Sequence, residues 1–232
     1  MDSRSLAHEW LRREPLDCAD MLLLLKRDSA DIAYAEEDGV LLFDRQSRLL
    51  FAAFESAEKG AERVLRFGDC AGYMLHSREM GRLVQEQAKR KRQLDCVQAV
   101  YTAKAAPAVP RVCSLKPLTM TEAAEAMRVS PYADVEEFYA RVVAGEVYGA
   151  FISGTLVGYI GTHAEGGLGL LNVSSAFRRR GVGEALVADA VKRQLARSVT
   201  PMEQIERTNI ASLQLVEKLG FQFAQGEYVI LL

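Results

Sequence analysis

Apolar and polar positions along the chain follow two rhythms. Over residues 3–13 and 17–27 the apolar residues recur at helical spacing. The stretch "DIAYAEEDGVLLFDRQSRLLFAAF" that follows breaks into short apolar runs separated by polar pairs, which predicts successive strands, with Asp38-Gly39 as a hairpin signal. Helical spacing returns over 57–66 and 77–91, and "CVQAVYTA" from position 96 predicts a strand.

The periodicity stops in "AKAAPAVPRV", 103–112, where Pro107 and Pro110 mark a linker. Beyond it "CSLKPL" predicts a strand, and 120–128 and 134–144 predict helices. "VYGAFIS" and "LVGYIGTHA" predict two strands around Ser153-Gly154, a two-residue hairpin signal, and "LGLLNV" at 168–173 predicts a third. A turn rich in arginine and glycine leads into a helix over about 183–197, on which Leu186, Val187, Ala190, Val191 and Leu195 make one apolar stripe. A strand over 202–207, a helix over 211–219 ending at Gly220, and the strand "YVILL" complete the chain. The pattern divides the protein into an N-terminal domain, 1–108, and a C-terminal domain, 109–232.

Composition excludes several classes. The chain has 232 residues, 49% of them hydrophobic and 26% charged, with a net charge of -2. A field this weak draws the protein to neither nucleic acid nor a membrane surface. The one compact basic run, Lys89 to Arg92, closes a predicted helix, where cations oppose the macrodipole favourably. Cys18, Cys70, Cys96 and Cys113 lack the spacing of a zinc site or a redox dithiol, so no metal is expected and the thiols read as reduced, in a cytoplasmic protein. "MLLLLK" is too short to span a bilayer, and "MDSRSLAHEW" lacks the apolar core of a signal peptide. The first half shows no cluster of catalytic residue types, and His8 and His76 are read as surface or packing residues.

The stretch "FRRRGVGEAL" carries the first chemical signal. A helix start exposes unpaired N–H groups and the positive end of the dipole. Gly181 and Gly183 let a ligand approach those amides closely, and Arg178, Arg179 and Arg180 add positive charge, so the turn is a candidate pyrophosphate cradle. It lacks both the Lys-Ser/Thr of a P-loop and the full dinucleotide fingerprint. The second signal is "NIASLQLVEKLGF". Asn209 suits an N-cap bonding near Ser212, and Gly220 followed by Phe221 suits a left-handed C-cap.

Together the two stretches resemble the GNAT superfamily of acyl-CoA N-acyltransferases. Arg178, Gly181 and Gly183 meet its phosphate motif: Arg or Gln, two residues, Gly, one residue, then Gly or Ala. Asn209, Ser212, Leu215, Gly220 and Phe221 meet its later signature. The resemblance covers roughly 110–232, and the two-part layout is similar to glycine N-acyltransferase-like proteins, whose first half is a divergent GNAT-like domain. It implies an α/β fold with a twisted, mostly antiparallel mixed sheet flanked by helices, behind a smaller α/β N-terminal domain. It implies acetyl-CoA, or another acyl-CoA, as co-substrate and a small-molecule amine or amino acid as acceptor. Leu171, Asn172 and Val173 would line the pantetheine. The amides of Arg179, Arg180, Gly181, Val182, Gly183 and Glu184 would hold the diphosphate, with Asn209 and Ser212 beside the pantetheine.

The catalytic residues depart from the family pattern. Val216 stands where the family often has a proton-donating tyrosine, and Gln204 where some relatives carry a glutamate. Glu206 shares the strand parity of Gln204, while Glu203 and Arg207 should face the other way. Glu165, with His163, precedes the predicted pantetheine strand. Glu206 and Glu165 are therefore the candidate bases. An acyl-CoA sensor without turnover, and a transferase acting on a protein amine, are the alternatives.

Overall fold

The computed structural model describes residues 2–129 and 134–232. The elements run α1 (Ser3–Leu11), α2 (Ala19–Arg27), β1 (Ala30–Glu36), β2 (Gly39–Asp44), β3 (Leu49–Phe54), α3 (Ala57–Arg66), β4 (Gly72–Leu75), α4 (Arg78–Ala88) and β5 (Gln93–Val100). They continue with β6 (Ser114–Pro117), α5 (Met120–Val129), α6 (Val135–Val143), β7 (Val147–Ile152), β8 (Thr155–Thr162) and β9 (Leu168–Val173). A 3-10 turn at Ser175–Phe177 precedes α7 (Val182–Ala196), β10 (Met202–Glu206), α8 (Ile210–Lys218), β11 (Gln222–Phe223) and β12 (Tyr228–Leu231). The fold is mixed α/β with mostly antiparallel sheets. Among the described residues no helix is long and apolar enough to cross a membrane.

The chain forms two compact units, and they are not two consecutive runs. The first comprises 1–100, 204–210 and 222–232; the second comprises 101–203 and 211–221. The C-terminal residues join the first unit because β12 pairs antiparallel with both β4 and β5.

In the first unit the strand order is β1-β2-β3-β4-β12-β5, and β5 borders β10, whose residues 204–206 belong to this unit. Both faces of the sheet are covered, which is why its strands read as continuous apolar runs. Successive residues serve opposite cores. Leu42, Phe51 and Met74 pack with Leu11, Met21, Leu24 and Leu25 of α1 and α2. Leu41, Leu50 and Leu75 pack with Val64 of α3 and Met80 and Val84 of α4.

Two local expectations are corrected here. The β1–β2 hairpin turns at Glu37-Asp38, since Glu36 pairs with Gly39, so Gly39 is a strand residue rather than half of the turn. Its lack of a side chain serves packing: a Cβ there would lie 2.2 Å from the Phe54 ring. The basic run also falls past its helix rather than in the last turn. Lys89 is the left-handed C-cap of α4. Arg90 lies over the Tyr73 ring at 4.8 Å and donates to the Cys70 carbonyl at 2.9 Å.

The second unit is built on the antiparallel sheet β6-β7-β8-β9. The expected Ser153-Gly154 hairpin is present, with φ of 50° and 79° at its two positions, the combination a type I′ turn requires. Helices α5 and α6 bury Ala123, Ala126, Phe138 and Val142 against Val147, Phe151, Tyr159 and Leu170. Helix α7 packs against β7, β8 and β9. The expected stripe residues Leu186, Val187, Ala190 and Val191 are buried, together with Val182, Ala185 and Ala188.

Gly39→Val is expected to destabilise the protein by about 1–3 kcal/mol, because the new side chain must displace the Phe54 ring from its packed position. Urea denaturation monitored by circular dichroism measures the change; an unaltered midpoint contradicts the packing role.

Candidate functional site

The arginine–glycine turn connects β9 to α7 within the second unit. Strand β9 ends the four-stranded sheet, with β8 on one side. Asn172 pairs with Tyr159 and Gly169 with Gly161, so Leu170 and Leu171 stand opposite the single residue Ile160. This is a β-bulge, and Leu170 takes the left-handed conformation there, with φ 55°. Its side chain is buried in the core with α5 and α6, which offsets the backbone strain.

Beyond the bulge the strand presents a free edge. The Ser174 N–H donates back to the Val157 carbonyl at 2.9 Å, so the preceding residue points its N–H and C=O away from β8. The outward Val173 carbonyl accepts from Arg178 Nε at 3.0 Å. The outward Val173 N–H lies on the same edge. Leu171, Asn172 and Val173 are all half-buried.

The chain then enters α7 through two left-handed residues, Arg179 with φ 61° and Gly181 with φ 80°. Gly181 is the N-cap and offers no side-chain cap. The first bond of the ladder runs from the Ala185 N–H to the Gly181 carbonyl at 2.9 Å. The amides of Val182, Gly183 and Glu184 therefore precede the ladder at the positive end of the helix dipole. Arg178, Arg179 and Arg180 are exposed around them, with Arg180 over the Phe177 ring at 5.4 Å. A Cβ on Gly183 would meet Leu215 at 3.4 Å and Val173 at 3.7 Å, so this glycine brings the helix start, the strand end and α8 together. The Glu184 carboxylate is held at 2.6 Å by Lys218 of α8.

Helix α8 ends as the sequence predicts. Gly220 has φ 92°; its N–H donates to Glu217 and the Phe221 N–H to Val216, both at 3.0 Å, the paired bonds of a Schellman cap. Ser212 is half-buried on this helix. Val216 is buried, 1% exposed.

The other predicted residues are divided between the two units. Asn209, Gln204 and Glu206 belong to the first unit. There Gln204 Nε2 donates to Gln98 Oε1 at 2.8 Å, and Glu206 pairs with Arg92 at 3.4 Å. Glu165 and His163 belong to the second unit, in the connection between β8 and β9, where the Gly166 N–H bonds the His163 carbonyl at 3.0 Å and the His163 N–H bonds the Gly167 carbonyl at 2.8 Å. A Cβ at Gly169 would lie 2.2 Å from His163 Nε2, so this glycine admits the imidazole.

Around that imidazole stands an acidic group the sequence does not reveal. His163 Nδ1 is 2.6 Å from Glu137 Oε1 of α6, and Glu165 completes the trio. Burial alone would lower the His163 pKa, but the Glu165 and Glu137 carboxylates raise it to about 9. Burial likewise acts to raise Glu137, but its bond to His163 leads the contacts that bring it below its ordinary value. Glu203 of β10 is 6% exposed, and its Oε1 has no hydrogen-bond partner. Burial pushes its carboxyl up to about 8, against a pull down from His163. Strand parity turns Glu203 inward, but only the fold shows that inward means beside His163.

The first half also holds a polar cluster, contrary to the expectation that it has none. Cys18 and Asp20 lie far in sequence from His76 and Tyr228, and α2, the end of β4 and β12 bring them together. His76 is thus part of a hydrogen-bonded network rather than a plain packing residue.

The comparisons with known proteins agree with this architecture. Residues 147–230 match the family model described as FR47-like protein. A Drosophila protein of known structure is 18% identical, with TM-score 0.64, covering 100% of this chain and 97% of its own. A GCN5-related N-acetyltransferase-like protein from Streptococcus suis is 17% identical, with TM-score 0.53 and coverage of 97% and 99%. A GNAT-family acetyltransferase from Colwellia psychrerythraea is 14% identical, with TM-score 0.55 and coverage of 92% and 96%. No curated protein matches the chain.

The Glu203 environment makes stability depend on pH. Its folded pKa of about 8 exceeds the ordinary 4.5, so between those values the folded protein holds a proton that the unfolded chain has lost, and stability falls as pH rises through this window. His163 acts in the same direction, its contribution present below 6.5 and lost as pH rises through about 9. Glu203→Gln removes only the first effect. Urea unfolding at pH 5, 6.5 and 8 should show the variant gaining on the parent protein as pH rises; a constant difference contradicts the buried-carboxyl assignment. The FR47-like match covers 147–230, and the fold of the whole chain is similar to that of solved GNAT-family acetyltransferases.

Proposed function

We propose that the protein is an N-acyltransferase that moves an acetyl or other short acyl group from CoA to the amine of a small molecule or amino acid. The observation that carries this is the pairing of a free strand edge, at Val173, with an uncapped helix start, at Val182 to Glu184, across one short connection. An acyl-CoA presents matching groups: an amide-bearing arm that bonds along a strand edge, and a diphosphate that suits unpaired amides at a helix N-terminus. Leu171, Asn172 and Val173 would take the arm. The amides from Arg179 to Glu184 would take the diphosphate, with the three arginines adding charge. Ser212 would stand beside the pantetheine, and the family signature assigns Asn209 the same task.

The reaction follows from this placement. The Val173 N–H polarises the thioester carbonyl, and the amine attacks its carbon directly. An amine with a pKa near 10 must first lose a proton, at a cost of about 4 kcal/mol at neutral pH. Glu165, in the unit that carries the cradle, is the proposed acceptor of that proton. Glu206, paired with Arg92, is the alternative. Val216 cannot protonate the departing thiolate, so water or the amine's own proton does so. Orientation supplies much of the rate, on the order of 7 kcal/mol in favourable cases.

The buried Val216 also supports a second reading, a CoA-binding protein without turnover. Thiol release across an amine panel, from neutral to mildly alkaline pH, separates the two: transfer requires amine-dependent release that rises with pH, and binding alone gives the no-acceptor rate with every amine.

Gly183→Asp tests the cradle itself. The space at this position takes a side chain with small adjustments, and an acid in the first turn favours the helix dipole, so the fold should persist. The added carboxylate opposes the diphosphate. Acetyl-CoA affinity measured by calorimetry should fall by about tenfold or more, the loss of a charge-assisted contact. Unchanged affinity in the folded variant rules the cradle out.

A further inference from the structure

The first unit contains a cavity of about 350 Å³, within the size range of small-molecule sites. Trp10, Ala53 and Phe54 line it with Cys18, His76 and Tyr228. The last three belong to one network. Asp20, 1% exposed, lies 3.1 Å from His76 Nε2 and accepts from the Tyr228 hydroxyl at 2.5 Å. The edge of the His76 ring meets the Tyr228 ring at 4.8 Å. Cys18 interacts with the same imidazole, and it is the N-cap residue of α2, with no side-chain bond to the helix amides. Cys18 thus stands at the positive end of a helix with an imidazole beside it.

We propose that Cys18, His76 and Asp20 form a nucleophilic thiol site that opens on this cavity. Asp20 fixes the imidazole, as Tyr228 fixes Asp20, and the imidazole takes the thiol proton. Burial opposes a charged His76, but Asp20 and then Cys18 favour it and raise its pKa to about 10. An ester or thioester carbonyl is the class of substrate this arrangement suits. The thiolate sulfur adds to the carbonyl carbon, the bond to the leaving group breaks, and the imidazolium gives its proton to that group, leaving Cys18 S-acylated.

The cavity walls restrict which electrophile enters. Glu14, Asp17, Glu55 and Glu227 line it with the Arg13 guanidinium and the His76 imidazolium, and Glu227 is paired with Arg78 at 3.3 Å. Arg13 is itself paired with Glu55 at 3.3 Å. This acidic surplus repels anions, so the site takes small uncharged or cationic electrophiles and rejects polyanionic ones. It is thereby chemically distinct from an acyl-CoA site, and the proposal stands whether or not the protein is an acyltransferase.

The other cysteines supply an internal control. Cys113 is half-buried and burial raises its thiol pKa, while burial and the charges of Glu206 and Asp95 push Cys96 up to about 12. The full-length protein is treated with limiting iodoacetamide or iodoacetate, and each cysteine is followed by peptide mass spectrometry. The expected result is that iodoacetamide modifies Cys18 before Cys113 despite its burial, and that the preference for iodoacetamide over iodoacetate is larger at Cys18. His76→Gln should slow Cys18 by about tenfold or more while leaving Cys113 unchanged. Tyr228→Phe, a milder change, should slow Cys18 by a smaller factor. Cys18 that stays unmodified until the protein unfolds, or reacts equally fast in folded Tyr228→Phe and His76→Gln variants, overturns the proposal.

Discussion

The candidate site depends on how β9 pairs with β8. One extra residue on β9 puts Leu170 in the left-handed region and shifts the register before pairing resumes at Asn172 and Val173. Two consequences follow. The Val173 N–H and C=O turn away from β8 toward the outer edge of the sheet, where the Arg178 guanidinium meets the carbonyl. The chain also leaves the sheet in a direction that lets Gly181 cap α7 after a single 3-10 turn. The strain at Leu170 is held by its burial against α5 and α6, so the core of the second unit supports the geometry of its polar edge.

Each unit meets the cost of buried charge differently. In the first, Asp20 is bonded by His76, Tyr228 and the Met21 N–H, so its burial is compensated by donors. In the second, Glu203 has an orphan oxygen and keeps its proton instead. A carboxyl poised near neutrality beside a charged imidazole is common where proton transfer is needed. Glu137, Glu165 and His163 give the excess charge of this region a partner set that joins α6 to the β8–β9 connection.

Local chemistry was legible in the sequence and long-range geometry was not. Ser153-Gly154, Gly181 and Gly220 announce left-handed positions, and the turn, the N-cap and the C-cap follow from them. Asp38-Gly39 misleads because Gly39 is kept small by Phe54, a contact with a neighbouring strand that no dipeptide records. The bulge at Leu170 has no glycine to signal it. The clusters at His163 and His76 escaped notice because their members are separated by up to 208 positions, as Asp20 and Tyr228 are, and meet only through sheet pairing. The expected division at 108/109 describes the linker, whereas β12 returns the chain's end to the first unit.

The central claim is that the edge at Val173 and the start of α7 act together as the acyl-CoA cradle. Amide hydrogen exchange with and without acetyl-CoA tests this directly. The account predicts slowed exchange over 171–173 and 179–185 in the same titration, with one shared midpoint. Protection confined to other segments, or protection of only one of these two, would contradict it.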